Sequence, residues 1–492
     1  MATISLTRRL ALNLKSVMRR AFGSRGLTPA VCFTAVAGTL SVKAKSHDAA
    51  IEYRGPTDSP DETLWVPLKL LEDCSAKRDE PVRVEAAGKG RVTAQWHDGA
   101  VPKVVEYTVA KPRDADDFPA PPKNFTENHA SFPQAFTEAS DTADPGSARY
   151  ALGNVRLRGE NGSLAATDGR QLLLRSGFRF PWTGDVLVPR TKVFTSPELP
   201  SDQPVAVGKT EKWVTVGLGP WFIHLRIDEQ GRFPNVEKII RATEEAKGVC
   251  RFSRADMEFL AETMPRLPVD QDNSYRVTLD LNGSVAIRAK TPEQSEPTEV
   301  VLSNSSWSGE QPIRLNANGK QLARALKLGL SDLYIFGDEE ALTWRGDDFM
   351  YLSAPLPKDN AIEPATDAIR IESPGDEAST PALPPPIPKT ERIIVPVSEP
   401  ISDRNGNGHA QANGHTNGTA KTNGHARKTT SRRGGQQDIN GLIQQAETTR
   451  AVLRDALVKS NELVKALKRH RSQSRAIQST LASLRQLKGL GV

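Results

Sequence analysis

Along the first 357 residues apolar and polar positions alternate in short runs, and three of these runs open on a glycine. Gly38-Thr39-Leu40-Ser41-Val42, Gly162-Ser163-Leu164-Ala165 and Gly283-Ser284-Val285-Ala286-Ile287 place their glycines 124 and 121 residues apart. A period of two predicts half-buried strands, and the glycine supplies the positive φ of a hairpin turn. A second string, Trp65-Val66-Pro67-Leu68-Lys69 against Leu187-Val188-Pro189-Arg190-Thr191-Lys192, predicts a strand running into a helix, with prolines 122 apart. Leu315-Asn316 ahead of Gln321-Leu322-Ala323-Arg324-Ala325-Leu326-Lys327 holds the same place in a third copy. A third string, Asp79-Glu80-Pro81-Val82 against Asp202-Gln203-Pro204-Val205, recurs at 123. Unrelated strings sharing one offset identify a repeated unit.

Each unit closes on a proline-bearing segment: Asp117-Phe118-Pro119, Arg232-Phe233-Pro234 and Ala354-Pro355. The expected domains are therefore 1–122, 123–245 and 246–357. Each reads as short strands around two helices, an α+β domain with one sheet face covered. After Leu356 the composition shifts to Pro384-Pro385-Pro386-Ile387-Pro388 and then an Asn-Gly-His-rich stretch from Asn405 to His425. Such a chain buries too little apolar surface to offset ordering, so 358–435 is expected to be a disordered linker. His409, His415 and His425 follow from that repetitive composition rather than from a metal site. In 436–492, Ile443, Ala446, Leu453, Leu457, Val464 and Leu467 form a heptad stripe, resumed at Ile477, Leu481 and Leu484. A coiled coil, a helical hairpin and a partner-binding helix all fit, with self-association preferred. The opposite face, with Lys459, Lys465, Lys468, Arg469, Arg471 and Arg475, fits DNA contact or solvation equally.

Charge changes this picture once it is divided along the chain. The net +6 hides a stretch 1–47 with 8 Lys/Arg and no acid, and a stretch 411–492 with 15 Lys/Arg against 4 Asp/Glu. Residues 1–357 together carry about −1, so the basic character belongs to the tail. Any nucleic-acid contact of the repeated body must use local cationic surfaces. Arg8, Arg9, Lys15, Arg19, Arg20 and Arg25 would also suit an organelle presequence, a reading weakened by the repeat that begins inside the same stretch. Three scattered cysteines, Cys32, Cys74 and Cys250, support neither a disulfide framework nor a zinc site. No window is apolar enough to span a membrane, and a cytoplasmic, nucleoid-associated location is expected.

The densest motif runs Arg149-Tyr150-Ala151-Leu152-Gly153, Leu164-Ala165-Ala166-Thr167-Asp168-Gly169-Arg170-Gln171-Leu172, Val188-Pro189-Arg190 and Gly231-Arg232-Phe233-Pro234-Asn235. It resembles the middle domain of bacterial sliding clamps, the beta subunits of DNA polymerase III, where RYxLxG, ATDGHRL, VPR and (K/R)FPDY follow in this order. The first unit resembles the clamp's N-terminal domain and the third, more faintly, its C-terminal domain. The resemblance implies three clamp domains, a head-to-tail homodimeric ring around duplex DNA, no catalytic residues, and no metal or cofactor. Polymerase, clamp loader or repair proteins would bind through short peptide motifs.

By the same resemblance, the DNA-facing candidates are Lys15, Arg19, Arg20, Arg25, Lys69, Lys77, Arg190, Lys192, Lys320, Arg324 and Lys327. A peptide pocket would use Leu152, Thr167, Gly169, Arg170, Gln171, Leu172, Pro234, Ile239, Asn316, Pro355 and Leu356. Several departures stand out. Arg170-Gln171 replaces the usual His-Arg, Gly319 or a neighbour replaces an aromatic near Asn316, and Ala354-Pro355-Leu356 replaces Met-Pro-Met. Acids also sit on helices expected to face the DNA: Glu138, Asp141 and Asp144 in the second unit, and Asp256, Glu258 and Glu262 in the third. The competing expectation is a scaffold that kept the clamp fold, lost encirclement, and assembles through its tail.

Overall fold

The computed structural model describes residues 3–375 except 24–27, 89, 110, 113–116, 145, 147–150 and 271–273. Arg25, the Arg149-Tyr150 pair, the low-complexity stretch and the heptad tail lie outside the described residues.

The order of elements repeats three times. The first run is β1 (Thr3–Thr7), α1 (Arg8–Phe22), β2 (Ala30–Val36), β3 (Thr39–Lys45), β4 (Ala49–Pro56) and β5 (Glu62–Pro67). It continues with α2 (Leu68–Cys74), β6 (Pro81–Ala86), β7 (Arg91–Asp98) and β8 (Val101–Thr108). The second run is β9 (Phe125–Asn128), α3 (Phe132–Thr142), β10 (Asn154–Arg158), β11 (Ser163–Thr167), β12 (Gln171–Arg175) and β13 (Asp185–Pro189). A 3-10 turn (Val193–Thr195), β14 (Val205–Lys209), β15 (Trp213–Leu218) and β16 (Trp221–Arg226) complete it. The third is β17 (Gly248–Arg251), α4 (Arg254–Thr263), β18 (Arg276–Leu281), β19 (Val285–Ala289), β20 (Thr298–Leu302) and the short β21 (Ser306–Trp307). Then come β22 (Ile313–Asn318), α5 (Gly319–Lys327), β23 (Asp332–Ile335), β24 (Leu342–Arg345) and β25 (Phe349–Ser353).

The three recurring glycines sit where the alternation placed them, in the β2–β3, β10–β11 and β18–β19 turns, with φ of 74°, 61° and 96°. Gly162 is held twice over, because a Cβ there would lie 1.6 Å from the Phe178 carbonyl oxygen. Pro67 caps α2 as expected. The helix expected after Pro189 shortens to the single 3-10 turn. Pro197 forces Ser196 out of the helical region, to ψ 122°, and ends the turn.

The first two runs each contribute two four-strand half-sheets, the third contributes one of four and one of five with the short β21, and these fuse across runs. The order β5-β2-β3-β4-β16-β15-β14-β9 joins the first two, and β13-β10-β11-β12-β25-β24-β23-β17-β21 joins the second to the third. Both joints are antiparallel. In β4–β16, Ile51 faces Ile223 and Tyr53 faces Trp221, whose rings stack edge-on at 5.0 Å. In β12–β25, Leu172 faces Leu352 and Leu173 faces Tyr351. The remaining half-sheets, β1-β6-β7-β8 at one end and β22-β18-β19-β20 at the other, have no such partner run.

The outer edge of β20 is instead covered by β26 (Ile369–Glu372), which runs parallel to it, with Thr298 opposite Ile369 and Val301 opposite Glu372. This corrects the expectation of a linker beginning at 358. Residues 369–372 form a strand instead, whose backbone hydrogen-bonds along the otherwise open edge of β20. The basic stretch near the N-terminus also proves structural. In α1, Ala11, Leu14, Val17 and Met18 form a buried stripe, and Thr7 caps it by accepting from the Leu10 amide.

Candidate functional site

The helices form a layer that crosses both joints. α1 packs on α2 and on the 3-10 turn of the second run, α3 packs on that same turn, and α4 packs on α5. Ser16 of α1 donates to Glu198 at 2.8 Å, and Arg324 of α5 donates to the Glu138 and Asp141 carbonyls and Thr142 Oγ1 in the last turn of α3 at 2.8–2.9 Å. A cation there meets the negative dipole end of a helix. The layer therefore reads α2, α1, turn, α3, α5, α4, and it carries most of the DNA-facing candidates.

Many of those cations are already engaged. Arg19 forms an ion pair with Glu72 across α1 and α2, Arg20 donates back to Ser16 Oγ at 2.5 Å, and Lys15 donates to Ser75 at 2.9 Å. Lys69 pairs with Asp73 one turn away, and that hydrogen bond raises its pKa. Asp73 also accepts from the Tyr107 hydroxyl at 3.0 Å, and burial, followed by that bond, pushes the Tyr107 pKa up. Arg324 is spent on the joint, and Arg190 reaches toward the Ala143 carbonyl at 3.5 Å. Lys77, Lys192 and Lys327 are exposed, with no ion pair among the described residues, and Lys320 is exposed over the Tyr275 ring at 3.3 Å.

The acids separate in the same way. Asp256 does not face outward, because it is fully buried and accepts from the Asn304 amide and the Ser305 hydroxyl. Glu138 lies 3.5 Å from Arg175, and Glu258 pairs with Arg254 along α4. Asp141 and Glu262 remain exposed.

Two cavities collect cations, the first from one helix and the second from positions that the spacing did not group. One of about 710 Å³ lies between the end of α4 and α5, where Lys320, Arg324 and Lys327 share a wall with Met264, Leu267 and Tyr275. Another of about 720 Å³ sets Arg190 beside Lys212 and Arg226, opposed by Asp48 and Asp228. Lys212 and Arg226 belong to the β15–β16 hairpin and gave no motif of their own. Arg8, counted in the sequence only as one of a basic run, is 7% exposed and donates to the Cys74 and His97 carbonyls and to Glu80. It ties α1 to the end of α2, to the loop that follows it and to the end of β7.

The peptide-pocket candidates gather around the joint of the second and third runs. Asp168 Oδ1 accepts from the Arg170 and Gln171 amides at 2.8 Å, closing the turn in which Gly169 takes φ 85°. Thr167 Oγ1 donates to the Gln171 carbonyl at 2.6 Å, and Gln171 accepts from the Tyr351 hydroxyl at 2.6 Å. Leu172, Val236 and Leu352 form a small apolar cluster with Phe233 against it. Leu152 is buried, and Gly169 leaves about 4 Å between its own Cβ direction and the Leu152 Cδ1. The segment carrying Pro355 stitches the two sides together, since the Ala354 amide donates to the Arg170 carbonyl and the Leu356 amide to that of Asn316. Asn316 is fully buried against Thr278 and the Pro357 carbonyl, so it holds the segment rather than facing a ligand. Ile239, at the end of the 3-10 turn that begins at Val236, is 52% exposed, and Pro234, Pro355 and Leu356 are half-buried.

No protein-family profile and no curated protein matches the chain. Solved structures do match. A DNA polymerase III subunit beta sliding clamp from Pseudomonas aeruginosa, bound to griselimycin, aligns over 72% of this chain and 99% of its own at 19% identity, TM-score 0.59. The DNA polymerase III subunit beta of Borrelia burgdorferi, in complex with a natural product, aligns over 72% and 98% at 12% identity, TM-score 0.61. A putative beta subunit from Eubacterium rectale aligns over 72% and 100% at 13% identity, TM-score 0.60. Threefold repetition, edge-joined half-sheets and a shared helical layer thus coincide with full-length alignments to these proteins, and the chain has the sliding-clamp fold of DNA polymerase III beta subunits, carried on a divergent sequence.

Proposed function

We propose that this chain is a non-catalytic clamp that closes as a head-to-tail homodimer around duplex DNA and tethers polymerase or repair partners. The observation that carries it is the rule by which the runs join. The last strand of one half-sheet, β4 or β12, pairs antiparallel with the last strand of the next run, β16 or β25. Applied to the third run, that rule pairs β20 with β8, the one equivalent strand whose outer edge is unpaired among the described residues. Val101 and Val104 of β8 are 54% and 65% exposed, which suits an edge awaiting a second copy.

In this reading the helical layer faces DNA. Lys77, Lys192, Lys320 and Lys327 provide sparse, sequence-blind phosphate contacts, while Arg19 and Arg324 brace the ring. Encirclement needs no tight binding, so a body with net charge near zero is compatible with sliding. Partner peptides bind at the joint of the second and third runs, where the exposed Ile239 shares a 3-10 turn with Val236 of the buried Leu172, Val236 and Leu352 cluster. Loading onto nicked circular plasmid tests the reading. The protein is expected to co-elute with circular DNA at high salt and to be released when the plasmid is linearised. Equal retention on linear and circular DNA would sink it.

A further inference from the structure

The strand that occupies the β20 edge belongs to the chain's own extension, and it is foreign to the repeat. All the other strand pairs described are antiparallel, whereas β26 runs parallel to β20. Neither earlier run has a counterpart, since β4 and β12 are covered by the next run itself. The segment 357–375 is also anchored at several points. Asn316 Nδ2 donates to the Pro357 carbonyl at 2.8 Å, Arg276 to that of Asp359 at 3.0 Å, and the Ile362 amide to Thr278 Oγ1 at 2.9 Å. Arg314, itself braced on Asp280, pairs with Glu363.

Past β26 the fastening tightens. The Ser373 amide donates to the Val301 carbonyl, the Ser303 amide donates to Ser373 Oγ at 2.8 Å, and Asn304 holds the Pro374 carbonyl at 2.8 Å. Ser373 is 4% exposed, so this end is built into the fold. Between the anchors, Ile369 and Ile371 are 53% and 36% exposed, so the strand itself adds backbone hydrogen bonds but only partial apolar burial. That is the signature of a strand that covers an edge without being locked there by its side chains.

We propose that 358–375 is a cis strap that occupies the interface a second copy would use, so that β26 must leave β20 before β8 of the partner copy can pair there. The inference rests on the head-to-tail reading above and adds its control. Assembly is then set by competition between a tethered strand and a free one. The strap holds the edge at high effective concentration, and anything that binds the displaced strap favours the ring.

Sedimentation of the full chain over a dilution series tests this with two variants of opposite effect. In I369P/I371P the strap loses two amide donors in β26. Its dimer dissociation constant is expected to fall by about tenfold or more relative to the unmodified chain. In Val301→Cys/Glu372→Cys the register partners are replaced by cysteines, so oxidation fastens the strap. The oxidised form is expected to stay monomeric and to assemble again on reduction. Adding Val104→Lys on β8 to the proline variant is expected to abolish the gain. If the oxidised strap dimerises as well as the reduced one, with the disulfide verified on a non-reducing gel, the strap is not in the way and the proposal fails. Plasmid trapping separates the two readings. A strap-released dimer that is never trapped on circular DNA ends the clamp function but leaves the strap intact, whereas an oxidised chain that is trapped ends the strap alone.

Discussion

The joint between the first and second runs and the strapped edge of the third are both strand-to-strand contacts, yet they are built from different materials. At β4–β16 the facing residues Ile51 and Ile223 are fully buried, and at β12–β25 so are Leu173 and Tyr351. At β20–β26 the facing strand leaves its two isoleucines a third to a half exposed. Full burial of an aliphatic side chain contributes about 1.5–3 kcal/mol, while a net backbone hydrogen bond contributes about 1. The two fused joints are therefore held by interlocking buried side chains, whereas β26 meets β20 through its backbone with its isoleucines only partly covered, the contrast on which the proposed release of the strap depends.

The sharpest way to break this contrast is Ile223→Asp. A carboxylate placed at the centre of the first joint should destabilise by about 4 kcal/mol or more in denaturant unfolding, and a drop under about 1 would show the joint to be as loose as the strap. The same joint carries a pH weakness. His224 is 1% exposed on β16, hydrogen-bonded to Thr215 at 2.8 Å, and burial, with Lys43 and Arg54 adding to it against Glu52, pushes its pKa down from 6.5 to about 4. The unfolded chain binds a proton below pH 6.5 that the folded chain refuses until about pH 4. Stability at neutral pH should thus fall as pH drops through that window, by about 3 kcal/mol at its acid end. His224→Phe should flatten the decline in thermal melts between pH 7 and 4.5, and an unchanged slope would assign it to other groups.

On the helical side of the second joint, Arg324→Met removes three hydrogen bonds to the end of α3 and should cost about 1–3 kcal/mol. Ile371→Pro at the strap should change global stability by less than about 1 kcal/mol while altering assembly, the opposite of the joint variants. Smallest of all, Lys192→Ala and Lys327→Ala should leave melting unchanged. Each should reduce the slope of log affinity against log salt by about one for every phosphate that the missing ammonium had neutralised. Melts that move with these lysines would make them structural.

The repeat was legible because its signals are local. Gly38, Gly162 and Gly283 are required by positive φ, and Pro67 by a helix start, so each announces its role within a few residues. The strap was not legible, since Ile369-Arg370-Ile371-Glu372 is a four-residue alternation in an acidic, proline-flanked stretch. Only the neighbouring open edge gives it meaning. The cation assignments were partly misleading for a related reason. Arg19 meets Glu72 from 53 residues away and Arg324 meets α3 from more than 180, and basic residues read along the chain cannot register such pairings. Asp256 looked like an acid facing DNA because helical spacing alone does not say which side is buried.

The two ends of the molecule are unlike edges, and that has a consequence for growth. The proposed contact between β8 of one copy and β20 of the next would be heterologous, so each addition would leave the same pair of ends available. Such a series either closes on itself or extends as a filament. A strand folded back on one end acts as a chain terminator. While every copy is strapped no β20 edge is open to receive a β8, so neither ring nor filament grows, and the β8 edge left open is blunted by Pro102, which withholds an amide, and by the charge of Lys103.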